Sequence, residues 1–251
     1  MKVAVINFSG NVGKTTISRH LLLPRIPGAE LISIESLNSG DGQSQALRGR
    51  QFGELQEYLQ TVESAVVDIG ASNVEDLLNL MELYRGSQED FDYFVVPTVP
   101  PVKQQQDTIA TLVELSQLGV TPSRLKVVFN MAEMGIPVHQ SFYFVLAFLK
   151  EQPIATPDPA CRLGANEIYA RIRGGTRDLS QLATDSTDYK TQIQQAPSSQ
   201  EKMVLAQNLA TRRLASGVVP ELDACFAALR LGGSVTTLGR PTQRKQNEQR
   251  A

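Results

Sequence analysis

The stretch that decides the fold opens the chain and reads VAVINFSGNVGKTT, from Val3 to Thr16. Its four apolar residues at 3–6 predict a strand, and the apolar spacing after Lys14 predicts a helix. A strand, a glycine-containing loop, Lys-Thr and a helix follow one another in a phosphate-binding loop. In such a loop, backbone N–H groups surround an anion at the positive end of the helix.

Each residue type in this stretch has a chemical role to play. Lys14 places a positive charge near the outer phosphates, and the Thr15 hydroxyl is placed to ligate Mg²⁺. The predicted nucleotide contacts are Gly10, Asn11, Val12, Gly13, Lys14, Thr15 and Thr16. The alternative is a Gly-Lys-Thr that occurs by chance in an ordinary loop. Its position directly after an N-terminal strand argues against that alternative.

The loop departs from the common Gly-x-x-x-x-Gly-Lys-Ser/Thr pattern, because Phe8 stands where the first glycine is needed. It fits the deviant form Lys-Gly-Gly-x-Gly-Lys-Thr-Thr better, with Ser9 in place of the first lysine and Asn11 in place of the second glycine. On these residues the chain resembles the ParA/MinD family of nucleotide-driven positioning ATPases. The resemblance implies an α/β P-loop fold, a mostly parallel sheet flanked by helices, and the cofactors ATP and Mg²⁺.

Composition agrees with a globular enzyme-like protein. The chain has 251 residues, 41% hydrophobic and 20% charged, and a net charge of −2, which gives no bulk attraction to nucleic acid or membrane. Its two cysteines, Cys161 and Cys225, lack metal-ligand spacing and predict reduced thiols. His20 is predicted to be a surface residue. With no signal peptide or membrane-spanning run in the sequence, we expect a cytoplasmic protein.

The rest of the chain alternates strands with helices, which predicts a parallel sheet. Short apolar runs predict strands at 31–34, 65–68, 93–97 and 125–130. Helical patterns lie between them at 44–60, 73–85 and 103–118. Ligands of such sheets bind at the carboxyl ends of the strands, so each strand end is a candidate site.

The second strand ends in Ile34-Glu35-Ser36. In the resembling family this strand end carries a carboxylate that orients the attacking water, and Glu35 takes that place here as a catalytic candidate. A solvated loop carboxylate is the alternative. Asn38 and Asp41, in the same polar segment, are possible substitutes.

The third strand ends in Asp68-Ile69-Gly70-Ala71, an apolar run closed by a carboxylate. Asp68 is placed to hold Mg²⁺ beside Thr15. Gly70 is predicted to turn its N–H toward a γ-phosphate. The alternative role for Asp68 is that of a carboxylate at a helix N-terminus.

The fifth strand ends at Asn130, where the resembling family has an asparagine that bonds the adenine edge. An amide can donate to N7 and accept from the N6 amine. The run Asn130-Met131-Ala132-Glu133 distantly echoes a guanine reader, but Met131 breaks the echo, so we predict ATP over GTP. Pro157 and Asp158 are further base-contact candidates, with a surface turn as the alternative.

The C-terminal part is less informative. A helix is predicted at 165–172, a loop at 180–200, a helix from a Ser198/Glu201 capping box to about residue 216, and another from Pro220 to Gly232-Gly233. The apolar face of the last helix is expected to pack on the core. We predict a nucleotide-binding domain over 1–235 and a basic, disordered tail over 236–251.

Within the wider family, the loop and Asp68–Ser72 look most like plasmid StbB-type stability proteins. This implies plasmid maintenance, positioning or conjugative transfer, a nucleotide-dependent homodimer, and a small DNA-binding partner from the same operon. DNA contact would be indirect or through the basic tail. Ser9 cannot supply the cross-dimer charge of the missing lysine, and Arg48 or Arg50 are candidate replacements. The rival readings are a nucleotide-gated binding module without turnover and a P-loop enzyme that transfers phosphate to a small molecule.

Overall fold

The computed structural model describes residues 1–34, 49–173 and 178–232, without the side chains of residues 49 and 50. The strands are β1 (Lys2–Val5), β2 (Glu30–Ile34), β3 (Ala65–Ile69), β4 (Tyr93–Thr98), β5 (Leu125–Ala132) and β6 (Arg162–Gly164). They form one parallel sheet in the order β2-β3-β1-β4-β5-β6. The predicted fold class, a parallel sheet flanked by helices with a helical C-terminal region, is confirmed.

The first helix, α1, changes geometry along its length. It is α-helical over Lys14–Thr16, π-helical over Ile17–Leu22 and 3-10 over Leu23–Arg25. The other helices are α2 (Gly49–Thr61), α3 (Val74–Leu83), α4 (Val102–Gln117), α5 (Val138–Ser141), α6 (Tyr143–Glu151), α7 (Ile168–Arg171), α8 (Leu179–Ala183), α9 (Tyr189–Gln195) and α10 (Ser199–Leu229). Single 3-10 turns cover Ala71–Asn73 and Ser87–Asp90.

Both faces of the sheet are covered, which explains the continuous apolar runs of the central strands. Alternate residues of β1 enter different cores: Ala4 packs in the core with α2, α3, α4 and α6, and Val3 and Val5 in the core with α1 and α10. β2 lies at the edge and is only partly buried. Within the described ranges, no helix combines the length and the apolar character that crossing a bilayer requires.

The C-terminal region differs from the prediction in three places. The predicted loop at 180–200 is wrong, because it contains the end of α8 and all of α9, whose first turn is capped by the Asp188 carboxylate accepting from the Thr191 N–H at 3.1 Å. The predicted break at Pro220 is also wrong, because α10 continues through it. Pro220 removes one N–H from the helix, and both Pro220 and Ser216, four residues earlier, are exposed. The helix predicted at 165–172 is shorter than expected, because α7 covers only Ile168–Arg171.

Two details of α10 were predicted correctly. Ser198 caps its N-terminus by accepting from the Glu201 N–H at 3.2 Å. Its apolar face is buried in the core shared with α1, as expected from the pattern of Val218, Leu222, Cys225 and Phe226. The helix ends at Arg230 in left-handed conformation with φ 50°, before the predicted glycine pair. The tail predicted over 236–251 lies outside the described residues.

Candidate functional site

The loop after β1 lies at the centre of the carboxyl edge of the sheet, because β1 pairs with β3 on one side and β4 on the other. Two of its residues have left-handed backbone, Asn11 with φ 57° and Gly13 with φ 87°. Asparagine tolerates this conformation better than most side chains. Gly13 has a second constraint, because a Cβ there would lie 2.2 Å from Asn130 Nδ2. Only glycine fits this backbone and this contact.

Asn7 anchors the loop and was missed in the sequence. Its fully buried amide donates to the Pro97 carbonyl at 2.8 Å and to the Thr108 hydroxyl at 2.9 Å, and its Oδ1 accepts from the Ser9 N–H at 2.7 Å. These bonds tie the start of the loop to β4 and α4. A polar residue directly after a buried apolar strand was the available signal, since a buried amide needs partners.

Lys14 bridges the two ends of the loop. Its Nζ donates to the carbonyl oxygens of Ser9 at 2.7 Å and Asn7 at 3.1 Å. Burial lowers the pKa of the ammonium from 10.5 to about 8, against the opposing effect of the Asp68 carboxylate. At neutral pH the group is therefore charged. A bound phosphate would replace these carbonyl oxygens as the partner of the ammonium, which they already hold in place.

Thr15 and Asp68 meet at the base of the loop. The Thr15 hydroxyl donates to Asp68 Oδ2 at 2.6 Å. Asp68 is only 3% exposed, and its Oδ1 is buried without a hydrogen-bond partner among the described residues. An unpartnered buried carboxylate oxygen is costly unless something compensates it. A hydroxyl and a carboxylate at a phosphate loop suit Mg²⁺, which takes few protein ligands and completes its shell with phosphate oxygens and water.

The structure does not leave Gly70 free for a γ-phosphate. Its N–H donates to the Ile34 carbonyl at 2.9 Å, and the Asn73 amide donates to the same oxygen at 3.1 Å. Gly70 thus ties β3 to the end of β2 in this state. The predicted phosphate contact requires that bond to open.

Asn130 is placed at the loop, as the strand-end rule predicts. Its Nδ2 donates to the Val12 carbonyl at 2.8 Å, and the residue is 5% exposed. The second N–H and the carbonyl oxygen remain for a ligand. Asn130 therefore holds the loop in addition to any contact with a base.

A cavity of about 720 Å³ adjoins Thr15, Thr16 and Asn130, and we call it the loop cavity. One wall is α1, with Arg19 and His20. The opposite wall, which we call the β6 wall, consists of Gly164, Ala165, Asn166 and Tyr169.

Two features of the loop cavity were not expected. The His20 and Tyr169 rings pack at 5.7 Å between centroids, so His20 is a half-buried cavity residue and its predicted surface position is wrong. Met131 also lines the cavity, in left-handed conformation with φ 53° beside an irregularity in the β5–β6 pairing. Left-handed backbone at a non-glycine residue is a local cost of the kind that gathers at binding sites.

Pro157 and Asp158 are not brought to this cavity. They line a second cavity of about 300 Å³ with Lys126, beside the amino end of β5. Asp158 pairs with Arg230 at 3.2 Å. The prediction of base contacts from this segment is therefore corrected: the strand end beside Asn130 is that of β6. A three-residue strand carries too little periodicity to be found in a sequence.

The remaining candidates have no described geometry. Glu35, Asn38, Asp41 and Arg48 lie outside the described residues, and Arg50 lies in α2 without a described side chain. Ser9 is 6% exposed.

No protein-family model and no curated protein matches the sequence. Solved structures with a similar chain path include the apo form of McdA from Cyanothece, with 12% identity, TM-score 0.48, and 91% of this chain and 97% of that chain covered. A variant of that protein in complex with ATP has 14% identity, TM-score 0.44, and coverage of 86% and 96%. The septum site-determining protein MinD from Pyrococcus horikoshii OT3, complexed with Mg-ADP, has 12% identity, TM-score 0.42, and coverage of 86% and 95%. With scores below 0.5, the function has to be argued from the chain's own site.

Proposed function

We propose that the protein is an ATP- and Mg²⁺-dependent molecular switch that hydrolyses ATP slowly. The observation that carries the proposal is the pair formed by Thr15 and Asp68, 2.6 Å apart, with an unpartnered buried oxygen on Asp68. The pair lies beside the Lys14 ammonium and a loop built around left-handed Asn11 and Gly13. A phosphate loop with a metal-competent carboxylate at its base suits a nucleoside triphosphate better than a single phosphate.

The chain's residues would divide the work as follows. Lys14 and the N–H groups of residues 10–16 bind the phosphates, and Thr15 and Asp68 hold the metal. Mg²⁺, when bound, neutralises charge on the β- and γ-phosphates. Glu35 remains our candidate for orienting the attacking water, and Gly70 for a γ-phosphate contact once its bond to Ile34 opens.

The base would occupy the loop cavity, against the His20–Tyr169 pair and Met131. The carbonyl oxygen of Asn130 accepts from an amine, which favours the N6 amine of adenine over the O6 oxygen of guanine. A GTP-using switch is the alternative for the base.

The cellular role follows from the sequence resemblance. We propose plasmid maintenance, positioning or conjugative transfer in the cytoplasm, by a nucleotide-dependent homodimer with a small DNA-binding partner protein. Ser9, in place of the family lysine, favours one rival in particular, a nucleotide-gated binding module without turnover. Losing a cation that stabilises the transition state of phosphoryl transfer lowers the rate by orders of magnitude.

Phosphate release tests the proposal. Wild-type protein with ATP and Mg²⁺ is expected to release more than one phosphate per chain, and Asp68→Ala to release none above background. ATP binding without turnover would support the nucleotide-gated module. Absence of ATP binding would refute both.

A further inference from the structure

The long helix α10 contacts both walls of the loop cavity, although it lines neither. Two of its carboxylates, Glu221 and Asp223, reach toward opposite walls, and Leu222 between them is buried in the core with 1% exposure. The two carboxylates lie within one turn of a helix, so their spacing is rigid.

Glu221 holds the β6 wall. Its Oε1 accepts from the Gly164 N–H at 2.6 Å, at the residue where β6 ends and the wall begins. A Cβ on Gly164 would lie 3.3 Å from the same oxygen, so a larger residue there would displace the carboxylate by a few tenths of an ångström. A charged acceptor at this distance makes one of the stronger kinds of hydrogen bond.

Glu221 also lies near Tyr169, which belongs to the β6 wall. The ring of Tyr169 lines the loop cavity, and its hydroxyl is buried with no hydrogen-bond partner in the part of the chain that the structure describes. Burial raises the pKa of this phenol, and the neighbouring Glu221 carboxylate raises it further. Glu221 itself is not among the residues that line the cavity.

Asp223 holds the other wall. It pairs with Arg25 at 2.7 Å, and the Arg25 side chain is only 3% exposed. Arg25 also donates to the His20 carbonyl at 2.8 Å and the Leu21 carbonyl at 3.2 Å, which closes the end of α1. The two walls are therefore fixed relative to each other through one turn of α10.

We propose that Glu221 is a positioning residue for nucleoside binding: by holding the Gly164 N–H it sets where the β6 wall lies relative to α1, without touching the ligand. This inference rests on the proposed function. It predicts different effects at the two ends of the nucleotide, because Glu221 acts on the β6 wall, where the nucleoside would bind, and leaves the phosphate loop unchanged.

The test compares two ligands, ATP and inorganic tripolyphosphate, each titrated with Mg²⁺ by calorimetry. Glu221→Ala is expected to bind ATP about tenfold more weakly than wild type, because one charged hydrogen bond that holds the β6 wall is lost. Its affinity for tripolyphosphate is expected to equal that of wild type. Glu221→Gln keeps an acceptor oxygen and is expected to restore most of the ATP affinity. Glu167→Ala is the matched control, since this carboxylate lies on the same stretch of chain as the β6 wall, is 64% exposed and has a 3.4 Å contact to Arg171.

If Glu221→Ala does not fold, Gly164→Ala serves as a second variant. It is expected to weaken ATP binding more than tripolyphosphate binding. Unchanged ATP affinity in Glu221→Ala, or equal losses for both ligands, would overturn the inference. If wild type binds neither ligand, the proposed function fails first and the inference with it. If wild type binds both and only the Glu221 comparison fails, the proposed function stands.

Discussion

The two sides of the loop cavity are built from different kinds of contact. The phosphate loop is bridged within its own segment, where Lys14 donates to the Asn7 and Ser9 carbonyls. Asn7 and Asn130 add bonds that join the loop to β4, α4 and β5. The β6 wall is held from far along the chain, by Glu221 on Gly164, 57 residues away. The difference teaches that one side carries a sequence motif of its own, whereas the other has none and depends on packing alone. Changes on the two sides should therefore affect different parts of a ligand.

The largest effect is expected on the local side, for Lys14→Ala. Removing the cation should lower ATP affinity by about a hundredfold or more, because charged contacts to phosphate in a buried loop are among the strongest. Calorimetry gives the affinity and circular dichroism the fold. Retained ATP affinity in a folded variant would contradict the assignment of this loop as the phosphate-binding site.

Gly13→Ala should come next. Its Cβ would meet Asn130 Nδ2 at 2.2 Å in a backbone with φ 87°, so the loop and Asn130 must separate. We expect ATP affinity to fall by roughly ten- to a hundredfold and the free energy of unfolding to fall by about 1–3 kcal/mol. Gly86→Ala is the matched control, because Gly86 has a similar φ of 90° but a Cβ there meets no atom within 4 Å. Similar losses in both variants would contradict the close contact.

Asn130 lies where the two sides of the loop cavity meet, and the choice between ATP and GTP tests its role. GTP should displace labelled ATP about tenfold less well than unlabelled ATP does, since the free amide oxygen would face guanine O6. The preference should vanish in Asn130→Ala. A preference for GTP would mean that the echo of a guanine reader in residues 130–133 was the true signal.

The smallest effect is expected from pH. The pKa of Lys14 is lowered to about 8, so the free protein loses this charge as pH rises above that value. ATP affinity should then fall by up to about tenfold per pH unit, and binding should take up a proton. The contribution of Lys14 to folding changes in the opposite sense. The unfolded chain binds more protons between pH 8 and 10.5, so stability rises over that window. Calorimetry at pH 9 in two buffers of different ionisation enthalpy measures the proton uptake, and its absence would contradict the buried cation.

The same contrast explains what could be predicted from the sequence. The parallel arrangement of β1, β3, β4 and β5 and the proximity of Thr15 to Asp68 follow from apolar runs that end in polar residues, since parallel strands bring their carboxyl ends together. The β6 wall could not be found this way. Its strand has three residues, and Gly164 and Tyr169 owe their positions to α10.

Two further errors have other causes. Pro220 is normally a helix boundary, yet packing of the flanking apolar face carries α10 through it. The polar residues after 180 form helices because their side chains cap them, as Asp178 and Asp188 do. Composition alone does not show which polar residue will serve as a cap.

The central claim, that Thr15 and Asp68 form the metal end of a nucleotide site, has a direct measurement. ATP affinity of wild type and Asp68→Ala is determined with Mg²⁺ and with EDTA. The account predicts that Mg²⁺ strengthens binding to wild type by about tenfold or more and that Asp68→Ala loses most of this gain while keeping its metal-free affinity. Equal losses with and without Mg²⁺ would make Asp68 a structural carboxylate and contradict the account.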